Sequence, residues 1–170
     1  MAAGLAGNSE ILQFRWSDAT RLCVVHSVTL DGLSGSATAF AAGFGKVDML
    51  IARSWTVDGS GGTAATITTN NGKMRTSHGT TLLGAVRGAS TTNLTVGTKT
   101  LDAQAVGQIS LSFGTAASVQ YANIISLFDD NNKHPIILAQ NEGFVLRATV
   151  PATGTWQFGA TVTWSEVAAY

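Results

Sequence analysis

Apolar residues recur at every second position through much of this chain. In residues 156–164, Trp156, Phe158, Ala160, Val162 and Trp164 alternate with Gln157, Gly159, Thr161 and Thr163. Successive side chains on a strand point to opposite faces, so the alternation predicts a half-buried strand. Residues 144–150 place Phe144, Leu146, Ala148 and Val150 on one side in the same way. Pro151 and Gly154 lie between the two runs and can reverse the chain, which predicts a C-terminal hairpin.

The pattern repeats upstream. Residues 21–30 put Leu22, Val24, His26, Val28 and Leu30 on one face, and residues 47–57 alternate through Val47, Met49, Ile51, Arg53, Trp55 and Val57. Shorter β-rich pieces follow at 64–69, 80–86, 93–96, 108–113, 123–128 and 135–139. The intervals between them are rich in Gly, Asn and Asp, as at 58–62, 70–72 and 129–132, which is turn chemistry. No window of helical length carries apolar residues at three- and four-residue spacing, and residues 10–16 could form one helical turn at most.

Many short strands with no helices between them predict an all-β fold. The strand count suits a single jelly-roll-like antiparallel β-sandwich over residues 17–170, with other Greek-key sandwiches left open because alternation does not give pairing order. Residues 1–16 read as an N-terminal arm. Its first nine residues are small and rich in Gly and Ala, and Ile11, Leu12, Phe14 and Trp16 follow at once. A flexible leash beside an apolar cluster makes these four residues the candidate contact with a partner.

Composition narrows the possibilities. At 170 residues the chain can build a core without staples. Charged residues are 12% and the formal net charge is zero, about half the usual charged fraction of roughly 25%. A nucleic-acid binder needs a basic excess, so that partner class is excluded. A polar but weakly charged surface suits packing against copies or neighbours, where a buried ion would need a partner. The single cysteine, Cys23, rules out an intrachain disulfide. The N-terminal residues lack the basic and apolar regions of a secretory signal. The uncharged stretch 103–128 is broken by Gln104, Gln108, Ser110, Ser112, Gln120 and Asn123, so no membrane span is expected.

Candidate chemistry is thin. Cys23 and His26 resemble a metal half-site, but three-residue spacing on a strand points them to opposite faces. His26, His78 and His134 are far apart, and the His-x-His pair that cupin-type jelly rolls use is missing. Glu142 could pair with an aspartate as in a glycosidase, yet its place between Asn141 and Gly143 reads as an acidic turn residue. No Gly-x-Ser-x-Gly elbow or phosphate-cradling Gly-Lys loop occurs. Residues 129–132 offer oxygen ligands without calcium-loop spacing. The expectation is no enzyme, no cofactor and no metal. Arg53 and Arg147, both on expected strands, read as charges that snorkel or pair with carboxylates.

One stretch carries a resemblance. Asn141-Glu-Gly-Phe-Val-Leu-Arg-Ala-Thr-Val-Pro-Ala-Thr-Gly-Thr-Trp-Gln-Phe-Gly-Ala-Thr-Val-Thr-Trp-Ser-Glu-Val167 resembles the end of a group of tailed-bacteriophage virion proteins. The blocks Leu50-Ile-Ala-Arg-Ser-Trp55 and Arg75-Thr-Ser-His-Gly79 resemble the same group more weakly. The resemblance implies a structural protein on the outer surface of the phage head: a jelly-roll decoration (cement) protein, assembled in the host cytoplasm. Its partners would be the major capsid protein and, as a dimer or trimer, copies of itself. A receptor-binding or fibre-tip module and a tail or neck component are the alternatives. The resemblance transfers no functional residues.

Overall fold

The alternating, β-branched runs do fold as strands. The computed structural model describes residues 8–35, 43–67, 72–75, 77–113, 124–129, 131, 134–151, 154 and 156–170. Along them run β1 (Ser9–Trp16), β2 (Leu22–Gly35), β3 (Gly43–Val57), β4 (Thr63–Ala64), β5 (Leu83–Gly88) and β6 (Thr98–Leu101). The remaining strands are β7 (Gly107–Phe113), β8 (Ile124–Asp129), β9 (Ile136–Leu138), β10 (Glu142–Thr149) and β11 (Trp156–Val167). They form two antiparallel sheets packed as a sandwich. The larger follows the order β4-β5-β1-β10-β3-β6, with β7 also on β3. The smaller runs β11-β2-β8, with β9 also on β2.

Some of the pairings are nested. β1 pairs with β10, β2 with β8 and β9, and β3 with β7. β1 and β10, distant in sequence, therefore lie side by side.

The main core fills the space between the sheets. Phe14 of β1 stacks on Phe144 of β10, ring centroids 4.9 Å apart. It meets Trp164 of the opposite sheet edge-on at 5.4 Å. Both geometries suit the aromatic quadrupole. Val25, Val28 and Leu30 of β2 and Val47, Met49 and Ile51 of β3 complete the interior. Phe158, Ala160, Val162 and Trp164 pack against it from β11, and Trp156 is fully buried while Gln157 is exposed. The expected inward register of β11 holds.

Four expectations need correction. First, residues 9–16 are neither an arm nor a helical turn. They are β1, an interior strand between β5 and β10. Ile11, Phe14 and Trp16 are fully buried and Leu12 nearly so, so these four candidate contact residues are core. Residues 1–7 lie outside the described residues. The misleading feature is a bulge: Glu10 faces Arg147 and Leu12 faces Leu146, leaving Ile11 as an extra residue. A bulge shifts side-chain alternation by one position, so both Ile11 and Leu12 reach the core and the strand loses its period-two signature.

Second, residues 142–167 are not a hairpin. β10 sits in the large sheet and, among the described residues, β11 pairs only with β2 in the small one. The chain passes from one layer to the other between Thr149 and Trp156. Alternation shows which face is buried, and two strands of facing sheets alternate as hairpin partners do. Third, β2 does not bury one continuous face. Ser27 faces Thr163 and Val25 faces Trp164, which leaves His26 bulged; Cys23 and Val25 point inward before it and Val28 and Leu30 after it. Fourth, residues 93–96 are not a strand, and the strand of this region is β6 at Thr98–Leu101.

Phe14→Ala and Trp156→Ala should each cost about 3–5 kcal/mol as large-to-small core changes, and Gln157→Ala should stay within about 0.5 kcal/mol of the parent. Denaturant melts check this; equal losses at Trp156 and Gln157 would refute the register of β11.

Candidate functional site

The large sheet is buried on its outer side too, and its polar chemistry collects there. Leu50, Ala52, Trp55 and Val145 form a second apolar cluster on that face, with Leu101 against it. Next to it lie Glu10 and Gln13, 2% and 3% exposed. Three residues apart on a regular strand they would point to opposite faces; the bulge at Ile11 brings them to the same one.

Segments flanking β4 and β6 cover them. The Leu94 N–H donates to the Glu10 carbonyl, and Thr95 N–H donates to the Ser60 carbonyl. The Ser60 N–H donates to Thr95 Oγ1. Gly59 and Gly97 permit the close approach. A Cβ on Gly59 would lie 1.9 Å from the Thr95 carbonyl oxygen, and one on Gly97, whose φ is +70°, 2.2 Å from that of Val57.

Under this cover the Lys99 side chain is wholly buried, its Nζ 2.9 Å from Glu10 Oε2 and 4.5 Å from the centre of the Trp55 ring. It also donates to the Val96 carbonyl. Gln13 Nε2 donates to Glu10 Oε2 at 2.6 Å and to the Thr95 carbonyl at 2.8 Å. Gln13 Oε1 accepts from the Gly59 N–H at 3.1 Å. Glu10 Oε1 is buried without a hydrogen-bond partner among the described residues.

Further along this sheet the charges are paired and reach the surface to different degrees, from 16% exposure at Arg15 to 52% at Arg53. Arg15 meets Asp58 at 3.1 Å and donates to Asn141 Oδ1. Arg53 binds Asp102 through two nitrogens, at 2.9 and 3.0 Å, and Glu142 at 3.0 Å. Arg53 shares the register of Val47, Met49 and Ile51 but lies beyond the core. The expected run through Trp55 ends at Ser54, whose φ of +50° turns Trp55 to the outer face. Glu142 also accepts the Ala139 N–H, so its carboxylate holds the turn before β10. Arg147 Nε donates to the Asn8 carbonyl.

Cys23 and His26 are not brought together. The thiol is buried in the main core, and His26 Nε2 lies 2.8 Å from Ser165 Oγ at the edge of the small sheet. Among the described residues no group of three or more His, Cys, Asp or Glu could hold a metal ion, and no helix is long and apolar enough to cross a membrane. Of the acidic run at 129–132, Asp130 and Asn132 lie outside the described residues; Asp129 accepts from the Asn131 backbone and side chain. A shallow groove beside β5, lined by Ile67, Leu83 and Val86 among others, carries no charged group.

The Glu10–Gln13–Lys99 cluster was not found by sequence reasoning. The residues are 89 positions apart at their extremes, and each is individually ordinary in the sequence. Comparison with protein-family models, with curated proteins and with solved structures returned no match to this chain.

Burial pushes the Cys23 thiol well above its ordinary value, with the Glu166 carboxylate adding to the shift, so the thiol stays protonated and unreactive at neutral pH. Native protein should therefore resist iodoacetamide at pH 8 and be alkylated once only after unfolding; mass spectrometry with and without denaturant reads this directly. The Arg53 hydrogen bonds hold the Asp102 carboxyl below its ordinary 3.8. A lowered carboxyl contributes stability above the ordinary aspartate range and loses it as pH falls through the depressed value. Both side chains are substantially exposed, so the effect should be small. Asp102→Asn should lose a slight stability increment at pH 7 and none at pH 2, as measured by melts across that range.

Proposed function

We propose that this chain is a structural virion protein, a decoration or cement protein on the outer surface of a bacteriophage head. The observation that carries the reading is where the phage-like stretch 141–167 falls. It supplies β10, at the centre of the large sheet between β1 and β3, and β11, which pairs along the length of β2. The resemblance thus spans both layers of the sandwich, so it speaks for the whole domain and not for a detachable tail. The nested pairs β1–β10, β2–β8/β9 and β3–β7 support a jelly roll, since that fold arises when one long antiparallel hairpin is wrapped into two layers.

The chemistry favours this role over a receptor-binding tip. A glycan-holding tip module is best served by exposed tryptophans, whereas Trp16, Trp55 and Trp156 are fully buried, Trp164 packs against the main core, and the exposed aromatics among the described residues are Phe44 and Tyr170. A charge-poor surface fits repeated contact with the major capsid protein and with sister copies in a dimer or trimer. With β1 in the core, those contacts belong to the sandwich surface and not to Ile11, Leu12, Phe14 and Trp16.

Copy number tests the proposal. In purified virions a decoration protein should be present in hundreds of copies, in fixed ratio to the major capsid protein on a calibrated gel. A handful of copies per particle would replace it with a fibre or neck component.

A further inference from the structure

The buried cluster on the outer face has the layout of a reaction site. Glu10 Oε2 stands within hydrogen-bond distance of two nitrogens, the Lys99 amine at 2.9 Å and the Gln13 amide at 2.6 Å. A carboxylate so placed can take a proton from the first and deliver it to the second. The amide orientation is fixed, because both Nε2 hydrogens meet acceptors and Oε1 meets a donor. The Gly59 N–H on Oε1 is a donor placed where negative charge would develop if the amide carbon were attacked. The Lys99 side chain has no exposure at all, so water is kept from competing. Neighbours held this way react at high effective concentration.

We infer that Lys99 and Gln13 join in an intramolecular isopeptide bond, formed by the chain itself with Glu10 as acid–base. Glu10 takes one proton from the Lys99 ammonium. The freed Nζ electron pair attacks Gln13 Cδ, and the carbonyl pair moves to Oε1, held by Gly59 N–H. Collapse of this adduct breaks the Cδ–Nε2 bond. Nε2 receives the proton from Glu10, and Glu10 then removes a second proton from Nζ and passes it on. The products are an Nε-(γ-glutamyl)lysine link and one ammonium ion, with nothing oxidised or reduced.

Relief of a buried charge drives the same way. Two ions have been withdrawn from water here, and one carboxylate oxygen has no partner among the described residues; such pairs carry a desolvation cost. Amide formation removes the lysine charge, and the remaining Nζ–H keeps a donor for the Val96 carbonyl. The link would tie β1 to β6, which lie three positions apart in the large sheet.

Intact mass of the purified, denatured full-length chain tests this. The expected value is one ammonia below the sequence mass, with or without Met1, and digestion should give a branched peptide joining positions 13 and 99. Lys99→Met and Glu10→Gln should each show their full sequence mass, whether or not they fold well. Full mass for the parent protein would overturn the inference. Loss of one water would also overturn it, making Glu10 the acyl partner. Ammonia loss that persists in Lys99→Met would do so as well, pointing to a succinimide at Asn71-Gly72.

Discussion

The structure depends on the withdrawal of the outer face of β1, β10 and β3 from water. A sandwich needs only its inner faces dry, and the outer face of an antiparallel sheet is usually solvated. Here Trp55, Leu50 and Val145 are buried on that second side, and the flanking segments close over Glu10 and Gln13. Once covered, a carboxylate and an amide must be matched or they cost more than the cover gains. Lys99, the Gly59 N–H and the Thr95 carbonyl supply the match. The glycines at 59 and 97 let backbone lie against backbone, so the cover, the ion pair and the bulge at Ile11 form one interdependent unit.

The sequence was legible where strands are regular. β11 shows its inward face in the alternation from Trp156 to Trp164, and the all-β class follows from the absence of helical spacing. Legibility failed where the backbone departs from period two. At Ile11 one inserted residue sets two apolar side chains in a row, which reads as a cluster on an arm. At His26 the same device exchanges the faces of β2, and at Ser54 a positive φ turns Trp55 away from the register of Ile51. Pairing was invisible for a different reason. β10 and β11 alternate alike because they line opposite walls of one core, and alternation carries no record of which wall.

The polar cluster was illegible because its members are dispersed along the chain and individually ordinary. A glutamate beside a hydrophobic run and a lysine among threonines carry no mark of burial in the sequence, and only the fold removes both from water. The exposed arginines were easier. Arg53 stands alone among apolar and small neighbours, and it takes the carboxylates of Asp102 and Glu142 as its position suggested. In a chain with so few charges, those that occur are largely committed to partners, which leaves an outer surface governed by threonine, serine and asparagine.

The nested order of the strands has a consequence for synthesis. β1 leaves the ribosome well before its partner β10, which begins at Glu142, more than a hundred residues later in the chain. Until β10 emerges, Phe14 lacks the ring it stacks on and Trp16 lacks its cover, and β3 likewise waits for β10 on one side. Pairings this distant close late and slowly, and unpaired apolar strands invite association while they wait. A nascent chain of this protein therefore completes its central sheet only after β10 has emerged. A ribosome that stalls before residue 142 holds a chain with its innermost strand uncovered, the form a chaperone would be expected to grasp.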